Sequence, residues 1–305
     1  MMSLVTTKGM LLDARKRGYA VGAFNANNLE MAQGIVMAAE KENAPVIVQV
    51  SQGGAEHGGL EEMAAIIRSL AAKASVPVAL HLDHGVDFVY NIRCLRAGFT
   101  SLMYDGSKLE FAENVRITRE VVKAAHAVGV PVEAELGRVP KDPTGITLED
   151  LKEYMTKPEE AVAFVEQTNV DSLAIAVGNM HKMKIKEAKI DIERIKAIRE
   201  RVAVPLVLHG ASGVPDEAVV AAIQAGICKI NVHTQLNKSF TEGIHEVFNA
   251  DPKTVDVRKY LGKAREALME EVRAKIRLFG ASGKAPGVPE VPVEPEAYIQ
   301  QDIVE

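Results

Sequence analysis

Three groups able to bind metal or move protons are packed into four residues at the end of the run VPVALHLDHG: His81, Asp83 and His84. The run begins as an apolar stretch suited to a buried strand, yet it ends in side chains that water solvates better than a core does. Polar groups also close the other apolar runs of the chain. In order they are Asn25, Ser51, Asp83 with His84, Asp105, Glu135, Asn179 with His181, His209 and Asn231. A lone histidine is most often a hydrogen-bonded structural residue. His84, His181 and His209, at three different strand ends, read better as ligands of Zn²⁺ or a similar divalent ion with one position open for substrate. Glu133 and Glu135 fall on one face of their strand and need a cation or donors if buried. His81 and Asp83 share a face, His84 has the opposite parity, and Gly85 is placed to let the chain turn. Parity alone leaves two assignments open: His81 with His84 as ligands, or His84 as ligand with Asp83 free for proton transfer.

Short β-branched apolar runs at 20–25, 45–50, 77–82, 100–104, 130–136, 171–177, 204–208 and 227–232 carry these groups. Segments with helical periodicity lie between them, including 29–43, 60–74, 111–128, 158–168, 191–202 and 215–225. Pro158 and Pro215 suit first helical turns, and Gly98, Gly129 and Gly226 suit helix stops. Continuous apolar strands alternating with amphipathic helices mean a parallel sheet covered by helices. Eight such units predict an α/β fold closed as a (β/α)₈ TIM barrel; an open doubly wound sheet lacks its glycine-rich dinucleotide signature here. In such a barrel, active sites collect at the carboxyl ends of the strands. Pro45, Pro77, Pro131 and Pro205 mark the opposite, structural ends. Two further helices are expected at 235–249 and 256–279, giving one domain over 1–280. From 281 to 305 the chain becomes a proline-rich arm, with Pro286, Pro289, Pro292 and Pro295 three residues apart.

Two loops have the makings of a phosphate site. HGASGVPDE (209–217) follows the seventh strand and NVHTQ (231–235) the eighth, where barrels often hold phosphate. Gly210 and Gly213 permit close backbone approach, Ser212 and Thr234 add hydroxyls, and a helix start offers N–H groups to an anion. The 305 residues are 47% hydrophobic and 25% charged, with a net charge of −5. That balance gives a core that needs no staple and no basic footprint for nucleic acid. Cys94 and Cys228 show no pairing pattern, and no apolar run has signal-peptide or membrane-spanning form. A cytoplasmic protein acting on small molecules is expected.

HLDHG, VEAELG, LHGASG and KINVHT, together with GAFNANN, QVSQGG and YDGS, resemble in order the class II, metal-dependent fructose-1,6-bisphosphate aldolases over roughly residues 1–280. The resemblance implies a homodimeric or homotetrameric barrel lyase that splits a ketose bisphosphate into dihydroxyacetone phosphate and glyceraldehyde 3-phosphate. It puts the metal ligands, for Zn²⁺ or Co²⁺, on His84, His181 and His209, with Glu135 at an alternate buried metal position. A monovalent cation is a further ion to expect near the phosphate. The resemblance makes Asp83 the acid/base for the C4 oxygen, leaving His81 in the supporting shell. Gly178, Gly210, Ser212, Asn231 and Thr234 then hold the triose phosphate end, Ser51 and Asn25 face substrate, and Arg258 of DVRKYL serves the far phosphate, often from a neighbouring subunit.

The sequence departs from the family pattern in two places. Asp142 and Pro143 stand where a mobile loop carries glutamates, so Asp142, or Glu149 later in the loop, is the candidate second acid/base. His233 stands where the family commonly has an aspartate or a small residue, beside the phosphate. Rival readings are a tagatose-1,6-bisphosphate aldolase, a Schiff-base aldolase using Lys229, a metal-dependent barrel hydrolase and a non-catalytic sugar-phosphate binder.

Overall fold

The computed structural model of the chain describes residues 4–139, 152–179 and 189–293. Among them are eight strands: β1 Val21–Asn25, β2 Val46–Ser51, β3 Val78–Asp83, β4 Leu102–Tyr104, β5 Val132–Leu136, β6 Ser172–Ile175, β7 Leu206–Leu208 and β8 Ile227–Val232. The helices between and around them are α1 Thr7–Arg17, α2 Leu29–Glu42, α3 Gln52–Gly58, α4 Leu60–Ala71, α5 Phe88–Ala97 and α6 Phe111–His126. They continue as α7 Pro158–Thr168, α8 Ile192–Arg201, α9 Asp216–Ala225, α10 Thr234–Ala250 and α11 Val257–Leu278. No described helix is long and apolar enough to cross a membrane.

The strand order is β3-β2-β1-β8-β7-β6-β5-β4, and every pairing is parallel. The edge strands β3 and β4 meet through the bridges His81–Ser101 and Gly85–Tyr104, which bring the sheet round into a (β/α)₈ barrel. Pro45, Pro77, Pro131 and Pro205 each stand one residue before a strand. Having no N–H to give, three of them still supply a carbonyl to the neighbour: Val46 N–H donates to Pro77 at 3.0 Å, Leu102 to Pro131 at 3.1 Å and Leu173 to Pro205 at 3.0 Å.

Five strands, β1, β4, β5, β6 and β7, are shorter than their apolar runs, and β6 shows why. Its run continues to Val177, but the N–H of Ala176 goes to Thr156 Oγ1 at 2.9 Å and that of Val177 to Asn179 Oδ1 at 2.8 Å. Side chains complete the hydrogen bonding there, so the backbone leaves the ladder. Helices α1, α3 and α5 go beyond the segments read from periodicity. The last two are started by caps, Ser51 accepting from Gly54 N–H and Asp87 from Tyr90 N–H.

The proline-rich segment lies along the body as far as residue 293. Gly283 and Ala285 N–H donate to the carbonyls of Glu42 and Asn43 at 2.8 and 3.0 Å. The Glu42 carboxylate accepts from Arg273, Arg277 and Ser282, tying α2 to α11 and to the start of the tail. At Gly9 of α1, the carbonyl of Pro289 occupies the space a Cβ would need, so only glycine lets tail and helix approach.

Candidate active site

The strands of the barrel bury a set of polar side chains. Asn25, Gln49, His81, Asp83, Glu133, Glu135, His209, Lys229 and Asn231 are all buried. Each must find partners inside the barrel, since desolvation without them costs about 1–3 kcal/mol per group.

The upper layer is built around Asp83, at the end of β3. Asn25 Nδ2, from the end of β1, donates to Asp83 Oδ2 at 2.8 Å, and Asn231 Nδ2, from β8, donates to Oδ1 at 3.0 Å. Gln49 Nε2 donates to Asn25 Oδ1 at 2.7 Å and so fixes which way that amide points. Burial pushes the Asp83 carboxyl up, but the imidazoles of His84 and His209 and the bond from Asn25 outweigh it and hold the group at about 2. It therefore stands as a carboxylate at neutral pH, a base gripped by two amides.

His84 follows with φ +54°, a left-handed conformation that few non-glycine residues adopt. The turn predicted for Gly85 is thus made one residue earlier, at His84 itself. Gly85 is needed for a different reason: a Cβ there would sit 2.6 Å from Leu82 Cδ2 and 2.8 Å from the Met103 carbonyl. The kink swings the imidazole toward β4, where Nδ1 meets Asp105 Oδ2 at 2.8 Å. Asp105 is itself held by the Ser107 hydroxyl at 2.6 Å. Burial lowers the His84 pKa, but Asp83 and Asp105 more than reverse that, raising it to about 9.

Nε2 of His84 faces Nδ1 of His209, from the end of β7, at 3.1 Å. Glu135 Oε2, on β5, lies 3.4 Å from the same His209 nitrogen. This buried oxygen has no hydrogen-bond partner among the described residues. Burial, with the nearby negative charge of Asp105, pushes Glu135 up to about 8. His84, Glu135 and His209 each offer one ligand atom, all within 4.8 Å of one another. Two imidazoles and a carboxylate with an orphaned oxygen are a donor set that fits a borderline divalent ion.

Beneath this layer, Lys229 Nζ on β8 is ion-paired with Glu133 at 2.8 Å to Oε2 and 3.1 Å to Oε1. The amine is fully buried and its contacts are with this carboxylate and His81, not with the strand-end cluster above. His81 joins this lower group rather than the cluster above: Nε2 is 3.4 Å from Lys229 Nζ and Nδ1 is 2.8 Å from the Ser101 hydroxyl. Burial and then the Lys229 charge push its pKa down to about 3, so it stands neutral.

At the loops read from the sequence as a phosphate site, Gly210 adopts φ +62° directly after His209 and leads into a 3-10 turn at Ala211–Gly213. Gly178 has φ +94°, and a Cβ there would run into the Lys189 carbonyl. Thr234 opens α10 immediately after His233, so the amino end of that helix adjoins the end of β8. His233 Nε2 contacts Asn237 Nδ2 at 3.2 Å.

Asn25, Asp83, His84, Glu135, His209 and Asn231 thus form one connected group. Ser51 pairs in register with Asp83 but spends its hydroxyl capping α3. Arg258 is exposed on the first turn of α11 and paired with Asp256 at 2.8 Å, outside the connected group. His181, Asp142 and Glu149 lie outside the described residues, and the Ser212 side chain is likewise undescribed. Two supports were not singled out as site residues, Asp105 and the Glu133–Lys229 pair. Asp105 already showed as one more polar residue closing a strand, Glu133 as a strand carboxylate needing a cation if buried, and Lys229 as a Schiff-base candidate more readily read as paired with a nearby carboxylate, which is where it stands.

Comparison with known proteins gives a consistent result. Residues 5–284 match the profile of the family described as Fructose-bisphosphate aldolase class-II. A fructose-bisphosphate aldolase of Thermus caldophilus is 43% identical, spanning 92% of this chain and 100% of the relative. A sulfofructosephosphate aldolase of Alkalicoccus urumqiensis is 40% identical over 93% of this chain and 99% of its own length. Among solved structures, the YdjI aldolase of Escherichia coli K12 superposes with a TM-score of 0.83 at 38% identity, covering 92% of this chain and 99% of that one.

Proposed function

The chain belongs to the class-II fructose-bisphosphate aldolase family, a family of metal-dependent lyases, and from that premise we propose that it reversibly cleaves fructose 1,6-bisphosphate to dihydroxyacetone phosphate and glyceraldehyde 3-phosphate. The observation that carries the proposal is Asp83: a carboxylate clamped by Asn25 and Asn231, beside the cluster of His84, Glu135 and His209, at the mouth of the barrel.

His84, His209 and Glu135, with His181, would hold the metal ion. When bound, Zn²⁺ or Co²⁺ supplies Lewis-acid stabilisation of the charge that develops at the substrate carbonyl, worth several kcal/mol. Asp83, ionised at neutral pH, accepts the proton of the C4 hydroxyl as the carbon–carbon bond breaks, and returns it in condensation. Asn25 and Asn231 keep its lone pairs on the reacting oxygen. The backbone at Gly178 and Gly210, with Ser212, Asn231 and Thr234, seats the triose phosphate at the amino end of α10, where a monovalent cation would share the anionic charge. Ser51 faces the sugar, Arg258 is assigned to the far phosphate across a homodimer or homotetramer, and Asp142 to the second proton transfer. Two buried free cysteines support a cytoplasmic setting.

The relative that acts on sulfofructosephosphate is almost as similar as the fructose-bisphosphate enzymes, which makes that sugar the second substrate to test. In a coupled assay for triose phosphate, fructose bisphosphate should give kcat/KM at least about tenfold above tagatose bisphosphate and sulfofructosephosphate, the discrimination expected of one well-placed polar contact. A higher value for either comparator would replace the fructose assignment.

Metal binding should also release protons. At pH 7 the metal-free site carries a proton on His84, whose pKa is about 9, and one on Glu135, whose pKa is about 8. Both must leave before the groups can coordinate. Affinity should therefore rise with pH by up to about two decades per unit below pH 8 and about one between 8 and 9, then level off. Calorimetry in buffers of different ionisation heats measures the release directly: roughly two protons per ion at pH 7 are expected, and none would contradict these assignments.

A further inference from the structure

We propose that Gln49 is a positioning residue for proton transfer: its buried amide, acting through Asn25, aims an N–H rather than a carbonyl oxygen at the carboxyl group of Asp83. The inference rests on the role given to Asp83 above and extends it to a side chain that reaches that carboxyl only through another.

Gln49 stands where folding alone would favour an apolar residue. Val46, Ile47, Val48 and Val50, its neighbours on β2, are fully buried, and Gln49 is buried with them at 0% exposure. In register it lies between Asn25 of β1 and His81 of β3, so the three side chains leave the same face of the sheet. Its Nε2 donates to Asn25 Oδ1 at 2.7 Å. Its Oε1 has no hydrogen-bond partner among the described residues, and an orphaned buried acceptor is a cost in folding.

That orphan has a reason. A primary amide offers an acceptor oxygen on one side and a donor nitrogen on the other, so Gln49 and Asn25 can be bonded in two orders. In the order present, Gln49 gives its N–H to Asn25 Oδ1, and Asn25 Nδ2 donates to Asp83 Oδ2 at 2.8 Å. Inverting both amides would give Gln49 Oε1 the donor it lacks. It would also set the Asn25 carbonyl oxygen against the carboxyl group that has to accept the substrate's proton. The unpaired acceptor in Gln49 is thus the counterpart of the donor kept on Asp83. The other amide on Asp83 has no such support. Asn231 Nδ2 donates to Oδ1 at 3.0 Å, but its own Oδ1 has no partner among the described residues. Of the two, Asn25 is the amide whose direction another side chain sets.

The test uses the full-length protein. Neutron diffraction from deuterated wild-type crystals separates nitrogen from oxygen and shows the deuterons. It should place Gln49 Nε2 against Asn25 Oδ1 and Asn25 Nδ2 against Asp83; the inverted order would overturn the proposal, and this arm needs no variant. Gln49→Met keeps the volume and removes both ends of the amide. It exchanges one unpaired acceptor, Gln49 Oε1, for another, Asn25 Oδ1, so the melting temperature should stay close to wild type. For fructose bisphosphate, kcat should fall about 10–100-fold, the upper end being the loss expected when a reacting group is misplaced by about 1 Å. KM should change little, as for an interaction made in the transition state. If the amide only filled the core, methionine would preserve kcat, and that result would refute the positioning role. A loss confined to KM would refute it too, by making Gln49 a substrate contact. In an Asn25→Ala background, adding Gln49→Met should change kcat by less than about twofold, because a residue acting through another adds nothing once that other is gone. A full second loss would exclude the route through Asn25. A wild type inactive on fructose bisphosphate, tagatose bisphosphate and sulfofructosephosphate would instead remove the aldolase reading, while the neutron result would still decide whether Gln49 directs Asn25.

Discussion

Treatment with excess chelator is expected to reduce fructose-bisphosphate cleavage by at least about a thousandfold, taking the several kcal/mol of Lewis-acid stabilisation at about 1.4 kcal/mol per decade. Added Zn²⁺ or Co²⁺ should restore it. The same treatment should leave the protein folded, because the metal-free site is electrostatically closed without an ion. His84 carries its positive charge between Asp83 and Asp105, and Glu135 holds a proton at neutral pH. Asp83 keeps its two amide donors, and the barrel layer below is sealed by the Lys229–Glu133 pair. Circular dichroism should thus remain unchanged while activity disappears, with a lower melting temperature reporting the lost binding energy. Full activity in persistent excess chelator would sink the metal-dependent mechanism. Parallel loss of fold and activity would mean that the ion is structural as well.

The fold was legible because two periodic signals coincided along the chain: eight apolar runs and the polar residue closing each of them. That second signal also located the site, since a barrel puts all its strand ends on one face. Asn25, Asp83, His209 and Asn231 were readable on that basis before any coordinates. The kink at His84 was not. Its neighbour is a glycine, and chain statistics favour glycine for positive φ, whereas the decision here is made by packing: Leu82 and the Met103 carbonyl leave no room for a side chain at Gly85. The depth of the polar network was also hidden. Lys229 sits in ICKINV among residues that fill a core, and only the register of β8 against β7 and β1 brings it toward Glu133 and His81. Sequence periodicity reports which face a residue occupies. It does not report which partner, a hundred residues away, will share that face. The tail shows the same limit: three-residue proline spacing describes an extended chain, but its seat on α1 depends on Gly9 being bare.

Asp83→Ala should lower kcat by about 10²–10⁴, the range for loss of a positioned acid/base, while the protein keeps its metal. The two halves of this expectation have separate causes. His84 is oriented by Asp105 at 2.8 Å and His209 by Glu133 at 2.9 Å, so neither imidazole relies on Asp83 for its direction. The lost carboxylate weakens the local field that attracts a cation. It also removes the main charge raising the His84 pKa, so a proton competes less well for Nε2. These changes oppose each other, and metal content by atomic absorption should stay near one ion per chain, a count expected of a site built from a single ligand set. Turnover has no such compensation. Asn25 and Asn231 can orient a hydroxyl but have no lone pair of sufficient basicity to take its proton. Asp83→Asn makes the same point differently, because its amide would set a donor against one of the two donors that now hold Oδ1 and Oδ2. With either variant the loss should appear in kcat far more than in KM, the pattern of an interaction made in the transition state. Retained turnover would remove Asp83 from proton transfer, and loss of the metal with the turnover would make it a ligand instead.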